Sequence, residues 1–264
     1  MINKKYQDLT YLNKEFCNAK PYPHIVLDNF IEKNIFQKIT EDFELIDRNS
    51  GKNFNSTVEN KKWISKNTDL PENLKSLINY LNSNEWVKNI SNLSGLKDIF
   101  STRVGNTELA NYHEMNKSGF LGSHVDHSSD PETDCPHVLN IIIYLTKKWD
   151  VKWGGSTTLL NSSGKTIIKE IEYIPNRAVI FLHTPYSFHG VKKLNQNQSI
   201  RSTVYVDYYS KSKNPYEHYD LDFSKKWFKH GTCFALPSFI DYLKPQNFYY
   251  TKTKINYYIN KFIG

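Results

Sequence analysis

Apolar residues recur with two different periods along the chain, and the period changes near residue 99. Over residues 30–43, 74–81 and 86–93 they return every three or four positions. This spacing places apolar side chains on one face of a helix and polar side chains on the other. The first 100 residues are therefore predicted to be rich in helices that pack against a second layer.

From residue 99 onward, apolar residues alternate with polar ones or form short runs between turn residues. The run at residues 137–146 is rich in β-branched residues and too short for a good helix, so we expect a central strand buried on both faces. About eight short strands in succession are typical of a β-sandwich or barrel. The clearest are expected over residues 108–112, 119–127, 137–146, 156–160, 165–173, 178–183 and 199–209.

The predicted organisation is one domain with two extensions. Residues 25–27 indicate a short buried strand at its start, and residues 47–68 are polar enough to predict a long loop anchored by Trp63. The fold class is mainly β, with N-terminal helices that buttress the sheet. The predicted boundaries are 1–20 for an N-terminal segment, 21–210 for the domain (helices over 30–95, β core over 99–210) and 211–264 for a C-terminal extension.

The charge balance and the cysteines narrow the class of protein. The chain has 34 Lys and Arg residues against 27 Asp and Glu residues, hence a formal net charge of +7. This charge permits an acidic partner. Because most lysines are scattered along the chain, we do not expect nucleic acid to be that partner. Cys17, Cys135 and Cys233 form no closely spaced pair, which is typical of a reducing compartment. Because no signal peptide or membrane span is evident, a cytoplasmic protein is expected.

The C-terminal extension is basic and aromatic. Residues 211–264 carry 9 lysines against 4 acidic residues, together with many tyrosines. One interpretation is a segment that grips the substrate. We favour the simpler one, a helical tail that packs on the sheet and keeps its lysines in water.

Candidate metal ligands lie within residues 119–127. His124 and Asp126 are two positions apart, and in an extended strand such positions share one face. With a third ligand they would form the two-histidine, one-carboxylate triad that is typical of non-haem Fe(II) sites. His189, in a turn after the strand at 178–183, is the best third ligand. Three further histidines remain alternatives: His127, His137 and His183.

Arg201 lies at the head of the last predicted strand. Its guanidinium is a rigid fork that matches a carboxylate. Inside an apolar barrel an arginine would carry an unpaired buried charge, which is unfavourable unless a ligand pairs with it. A dicarboxylate ligand would do so, whereas a surface arginine at a strand start is the simpler alternative.

The candidate metal ligands and Arg201, taken together with the segments around them, resemble the 2-oxoglutarate- and Fe(II)-dependent oxygenases, in particular the prolyl-4-hydroxylase-like group. The start of that group's catalytic domain is also similar to residues 22–30. The matching segments lie within residues 108–209 and cover about 100 of the 264 residues. They include residues 119–126, 139–146 with Trp149, the Gly154–Gly155 pair, 176–181, 187–191 and 201–205.

The resemblance implies a double-stranded β-helix, which is a distorted jelly roll of the cupin kind, with N-terminal helices beside it. The Fe(II) ligands that it implies are His124, Asp126 and His189. It also implies that Arg201 binds the distal carboxylate of 2-oxoglutarate. Asn140 falls where prolyl hydroxylases place a threonine facing this co-substrate, and Tyr112 is a further candidate for contact with it.

The implied activity is hydroxylation of an unactivated C–H bond. Fe(II) is the implied metal, 2-oxoglutarate and O2 are the co-substrates, succinate and CO2 are the co-products, and ascorbate is a candidate reductant. Asp126 favours hydroxylation, because related halogenases lack this carboxylate. The substrate suggested first is a prolyl or other peptidyl side chain in a peptide or protein partner. The loop at residues 128–136 and the two extensions are expected to select it.

Other functions remain open at the level of the sequence. The substrate could be a free small molecule, such as an amino acid or a sugar unit of a polysaccharide. The chain could also be a non-catalytic jelly-roll binding module, or a nucleic-acid demethylase with a basic groove at the mouth of the barrel.

Overall fold

The computed structural model describes residues 1–66, 69–101, 111–195, 199–212, 214–219 and 227–263. These residues form six α-helices and twelve β-strands. The helices are α1 (Asn13–Asn18), α2 (Lys33–Glu41), α3 (Glu72–Leu81), α4 (Asn84–Ser94), α5 (Phe239–Leu243) and α6 (Phe248–Ile263). The strands are β1 (His24–Asp28), β2 (Lys52–Phe54), β3 (Glu59–Ile64), β4 (Ile99–Ser101), β5 (Tyr112–Val125), β6 (His137–Tyr144), β7 (Thr157–Leu160), β8 (Ile167–Ile171), β9 (Arg177–Leu182), β10 (His189–Val191), β11 (Arg201–Ser210) and β12 (Cys233–Phe234).

The N-terminal helices form where the apolar period predicts them. The hydroxyl of Ser83 caps α4 by accepting a hydrogen bond from the Trp86 amide, and Gly95 ends the helix with a φ of +72°. The Trp86 indole donates a 2.9 Å hydrogen bond to the Tyr208 hydroxyl on β11. The helical layer therefore packs directly on the sheet. The apolar face of α3 is buried in the same core: Leu74, Leu77, Ile78 and Leu81.

The strands form a curled antiparallel sheet in the order β1-β9-β6-β11-β5-β10-β7-β8. The β6 strand lies between β9 and β11, and all of its residues but one are buried. This observation confirms the prediction of a central strand that is buried on both faces. The mainly β fold with flanking helices is likewise confirmed.

The polar segment at residues 47–68 contains a hairpin, so the prediction of one long loop there is wrong. Its strands β2 and β3 pair with each other, and β3 also pairs with β5. Lys61 has a φ of +52°, and the β3–β5 register shifts between Asn60 and Lys62. This irregularity, together with exposure of one face, removes the alternation that would reveal a strand. Trp63 is buried, as expected of an anchor.

The C-terminal segment is more than a helical tail. Its strand β12 pairs with β5, with Phe234 opposite His124. Helix α6 then packs against β12, and Tyr257 is its buried residue. The extension therefore adds a strand beside β5 as well as a helix that packs against this strand. Residues 108–110 of the predicted strand at 108–112 lie outside the described residues, and Tyr112 begins β5.

Among the described helices, none is both long enough and apolar enough to cross a membrane.

Candidate active site

A cavity of about 420 Å³ opens on the concave side of the sheet. Strands β5, β6, β10 and β11 form its floor. The β2–β3 hairpin contributes Phe54 and Lys62 to one wall, and the C-terminal segment contributes Phe234, Tyr249 and Tyr250 to another. The predicted ligand residues and Arg201 line this same cavity.

The structure brings His124, Asp126 and His189 together at the bottom of the cavity. His124 and His189 are register partners across the β5–β10 pair, and Asp126 follows the last residue of β5. The Nε2 atoms of His124 and His189 each lie 3.3 Å from one oxygen of the Asp126 carboxylate. The three potential ligand atoms all lie within 4.8 Å of one another.

The backbone fixes which nitrogen of each imidazole faces the centre of this group. The Nδ1 atom of His124 lies 2.9 Å from the Gly122 carbonyl, and Nδ1 of His189 lies 3.0 Å from the Ser187 carbonyl. Since a carbonyl oxygen only accepts, each Nδ1 carries the hydrogen and each Nε2 presents a lone pair. The donor set fits a divalent transition-metal ion, and three protein ligands leave further coordination positions open.

The electrostatics favour an ionised Asp126. Burial would raise the pKa of its carboxyl, but the charge of His189 and hydrogen bonds from both imidazoles outweigh burial and hold it well below its usual range. For His189, burial acts to lower the pKa, yet Asp126 raises it. Burial, with His189 nearby, lowers the pKa of His124. A carboxylate and a neutral His124 are the protonation states that bind a metal.

Arg201 is buried at the side of the same cavity. Its Nε donates a 2.7 Å hydrogen bond to the Gly155 carbonyl, and its guanidinium lies 5.4 Å and 4.9 Å from the ring centroids of Tyr144 and Tyr173. Burial lowers the pKa of this guanidinium. Within the described part of the chain, no carboxylate lies at ion-pair distance from it. A buried cation without an ion-pair partner is stabilised when an anionic ligand binds beside it.

Comparison with known proteins finds similarity to one superfamily of oxygenases. A sequence model of the 2OG-Fe(II) oxygenase superfamily, where 2OG is 2-oxoglutarate, matches residues 108–207. No curated protein sequence matches the chain. A solved prolyl-4-hydroxylase from Pseudomonas putida is 12% identical, with a TM-score of 0.53 over 77% of this chain and 99% of that chain.

Two further solved structures share the fold. A prolyl hydroxylase from Trichoplax adhaerens, in complex with a hypoxia inducible factor oxygen degradation domain peptide fragment, is 15% identical, with a TM-score of 0.51 over 78% of this chain and 91% of that chain. An oxidoreductase of the 2OG-Fe(II) oxygenase family from Burkholderia pseudomallei is 14% identical, with a TM-score of 0.54 over 79% and 93%. Residues 108–207 of the chain match the 2OG-Fe(II) oxygenase superfamily, and the chain has the fold of solved prolyl hydroxylases.

The curled sheet of the chain is the double-stranded β-helix that the resemblance implies. The matched segment, residues 108–207, contains the triad and Arg201. The family match supports an enzyme of the 2OG-Fe(II) oxygenase class over a non-catalytic binding module.

Asn140, the predicted contact of the co-substrate, lines the cavity, and its amide nitrogen lies near two carboxylates. The Nδ2 atom donates to Oδ1 of Asp207 at 2.9 Å and lies 3.4 Å from Oδ2 of Asp126. With its N–H groups turned towards these two oxygens, the side chain orients Asp126. A direct hydrogen bond to a co-substrate carboxylate would need the same N–H groups of Asn140 that already face Asp126 and Asp207.

Tyr112 does not line the cavity, in contrast to the expectation that it contacts the co-substrate. Its side chain is fully buried in the core between β5 and the helical layer, and its hydroxyl donates a 2.8 Å hydrogen bond to Glu114. The next residue, His113, faces the cavity instead. Neighbouring residues of a strand point to opposite faces, so only one of this pair can reach the site.

Several cavity residues carry no sequence signal. Phe234 stacks on His124, with ring centroids 5.1 Å apart, and Tyr250 packs edge-on against Phe234. These residues come from the C-terminal segment, which lies outside the family match at residues 108–207. Only the three-dimensional pairing of β12 with β5 reveals them.

The three histidines weighed as alternative ligands lie beside the triad rather than in it. In a regular strand His127 would point away from Asp126. Because β5 ends at Val125, this alternation does not apply, and both residues line the cavity. His137 and His183 stack in parallel behind it, with ring centroids 3.9 Å apart.

Proposed function

We propose that His124, Asp126 and His189 hold Fe(II), and that Arg201 binds the distal carboxylate of 2-oxoglutarate. One observation carries this proposal: the guanidinium of Arg201 is buried, has no carboxylate partner among the described residues, and lines the same cavity as the triad. The Arg201 guanidinium is thus available to the co-substrate, while the lone pairs of the triad are available to the metal. When bound, Fe(II) supplies the oxidising chemistry, which consumes 2-oxoglutarate and O2 and releases succinate and CO2.

The residues of the chain position the reactants and exclude water. Arg201 is held by the Gly155 carbonyl and by the faces of Tyr144 and Tyr173, so its fork has a fixed direction before the co-substrate arrives. Asn140 orients Asp126 from the other side. Such preorganisation fixes the direction from which a substrate C–H bond must approach the metal.

We further propose that the substrate is a peptidyl side chain, with proline as the first candidate. The β2–β3 hairpin and helix α6 both contribute aromatic rings to the cavity lining: Phe54 from the hairpin, and Tyr249 and Tyr250 from the helix. Aromatic walls favour apolar rings such as that of proline. The solved prolyl hydroxylase from Trichoplax adhaerens, which shares the fold, is bound to a peptide fragment.

The test is 2-oxoglutarate-dependent succinate release with a matched set of candidate substrates. We expect a proline-containing peptide to stimulate turnover, and the same peptide with alanine in place of proline to fail. Stimulation by free amino acids or sugars, without any by peptides, would contradict the peptide proposal and favour a small-molecule hydroxylase. The Asp126→Ala variant should release no succinate in any case.

The role of the aromatic wall can be tested separately with two tyrosine variants. Tyr250 lines the cavity, whereas Tyr258 on the same helix is 44% exposed and lies outside the cavity lining. We expect Tyr250→Ala to raise the KM for the peptide about tenfold, and Tyr258→Ala to leave it unchanged. Equal KM values in both variants would show that the C-terminal wall does not bind the substrate.

A further inference from the structure

A second cluster of potential metal ligands lies next to the triad. His127 follows β5, His137 begins β6, and Asp207 lies on β11. One ligand atom from each of these residues falls within 4.8 Å of the other two. None of the three belongs to the triad, so the cluster is not explained by the Fe(II) site.

The tautomer of His137 leaves a buried lone pair without a hydrogen-bond donor. Its Nδ1 lies 2.9 Å from the His127 carbonyl, which can only accept, so Nδ1 carries the hydrogen of the neutral ring. The ring is completely buried, and its Nε2 has no hydrogen-bond partner within the described chain. The nearest carboxylate oxygen is Oδ1 of Asp207 at 3.6 Å, which is too long for a hydrogen bond.

Asp207 is also short of a counter-charge. Its side chain is buried, and Asn140 donates a hydrogen bond to its Oδ1. No lysine or arginine of the described residues forms an ion pair with it. A lone pair of His137 and an oxygen of Asp207 therefore face each other in a buried space, an arrangement that a shared cation would stabilise.

We propose that His127, His137 and Asp207 form a second binding site, for a divalent first-row transition-metal ion. Two imidazoles and one carboxylate are a donor set that such ions accept. Ligands at about 2.0–2.2 Å from a common ion stand roughly 3–3.6 Å apart, and the 3.6 Å between His137 and Asp207 lies within that range.

The surroundings of the cluster support binding from solution. A 2.9 Å hydrogen bond between Nε2 of His127 and the Tyr209 hydroxyl orients the ring, as outer partners of metal ligands do. His127 and Asp207 also line the cavity, which gives an ion a route to the cluster. Asn140 contacts Asp126 in the first site and Asp207 in the second, so one amide links the two sites.

Two rival explanations make different predictions. Asp207 could stay protonated and donate to His137, or an ordered water could fill the space. Neither binds an ion, so both predict a single metal site in each chain. The number of ions bound therefore decides between them and the proposed site.

The experiment is titration of the chelator-treated 264-residue chain with Co(II), read by calorimetry and by visible absorption. We expect two ions per wild-type chain. One ion should remain in Asp207→Asn and in His127→Asn, whose second binding constant should weaken at least about 100-fold. One ion should also remain in Asp126→Asn, now in the second site. His218→Asn, which removes an exposed histidine, should still bind two.

Several outcomes would overturn the proposal. It is wrong if wild type binds one ion that Asp126→Asn abolishes, or if the second ion persists unchanged in both Asp207→Asn and His127→Asn. Circular dichroism and thermal unfolding show whether each variant is folded, and the wild-type stoichiometry decides without any variant. Loss of the first site alone would contradict the proposed Fe(II) triad and leave the second site standing.

Discussion

The Arg201 guanidinium lies between Tyr144 and Tyr173 and donates to the Gly155 carbonyl. At the residue scale, this arrangement directs a fixed cationic fork into a cavity that also holds the triad. Gly155 makes it possible, because it adopts a φ of +75° and a Cβ there would lie 3.0 Å from Cδ of Arg201. The close approach therefore requires glycine.

Replacing Arg201 tests the co-substrate assignment. We predict that Arg201→Ala raises the KM for 2-oxoglutarate about 100-fold and leaves the affinity for Fe(II) unchanged, because the arginine does not belong to the triad. Steady-state succinate release and anaerobic Fe(II) binding measure the two quantities. Arg177→Ala, which removes an arginine paired with Asp28 away from the cavity, is the matched control and should change neither.

Asn140 is predicted to act through Asp126. In Asn140→Leu the side chain keeps its branched shape but loses the amide that faces the carboxylate. We expect Fe(II) affinity to fall about 10–100-fold, as is typical when a partner of a metal ligand is removed. Unchanged Fe(II) affinity, with a raised KM for 2-oxoglutarate, would mean that Asn140 contacts the co-substrate instead.

At the scale of elements, the site depends on the close approach of β10 to β5. Gly190 follows His189, and a Cβ at this position would lie 2.8 Å from the Leu121 carbonyl and 3.2 Å from that of Gly122. The Gly122 carbonyl also contacts the His124 imidazole. A side chain at residue 190 would therefore push apart the two strands that carry His124 and His189.

We predict that Gly190→Ala lowers the free energy of unfolding by about 1–3 kcal/mol and weakens Fe(II) binding. Chemical denaturation and Fe(II) titration measure these effects. Gly231→Ala is the matched control, since a Cβ there meets no atom within 4 Å. Equal stability of the two variants would show that β10 can move away from β5 without consequence.

The sequence pattern predicts the elements whose side chains alternate or repeat regularly. The helical period locates α3 and α4, and the spacing of His124 and Asp126 places both at the same site. The alternation does not hold along the whole of β5. Near its start the odd-numbered residues His113 and Met115 face the cavity, whereas near its end the even-numbered His124 does. Such a shift of face within one strand cannot be counted from sequence, and it leaves Tyr112 on the face opposite the cavity although His124 lies on the cavity side.

At the scale of the whole molecule, the C-terminal segment joins a site that the family match does not include. Strand β12 has two residues, too few for any periodic signal, and its contribution arises from pairing with β5. The predicted helical tail is present as α6, yet Tyr249 and Tyr250 on it line the cavity. Long-range pairing of this kind has no local signature in the sequence.

The metal-free protein should lose stability in mild acid. Burial is the main cause that lowers the pKa of six histidines, to about 3 for His137 and about 4 for His230. The unfolded chain binds protons at these groups near pH 6.5, while the folded chain does not, so stability falls as pH decreases below 6.5. Each histidine contributes up to about 1.4 kcal/mol per pH unit. Asp207, whose pKa burial raises well above its usual range, acts in the opposite direction.

We expect the free energy of unfolding to fall by at least about 2 kcal/mol between pH 6.5 and 5. Denaturant titrations of chelator-treated protein measure it, and His230→Asn should show a weaker dependence on pH. Stability that stays constant or rises over this interval would mean that the buried histidines take up protons without unfolding.

Anaerobic titration of the apoprotein with Fe(II) and then 2-oxoglutarate tests the proposed triad and Arg201 together. The chelate of 2-oxoglutarate on Fe(II) gives a weak visible charge-transfer band. We expect this band in the wild type and its loss in His189→Ala, whereas Arg201→Ala should need about 100-fold more 2-oxoglutarate to develop it. Absence of the band in wild-type protein that has bound Fe(II), or an undiminished band in His189→Ala, would contradict the proposed site.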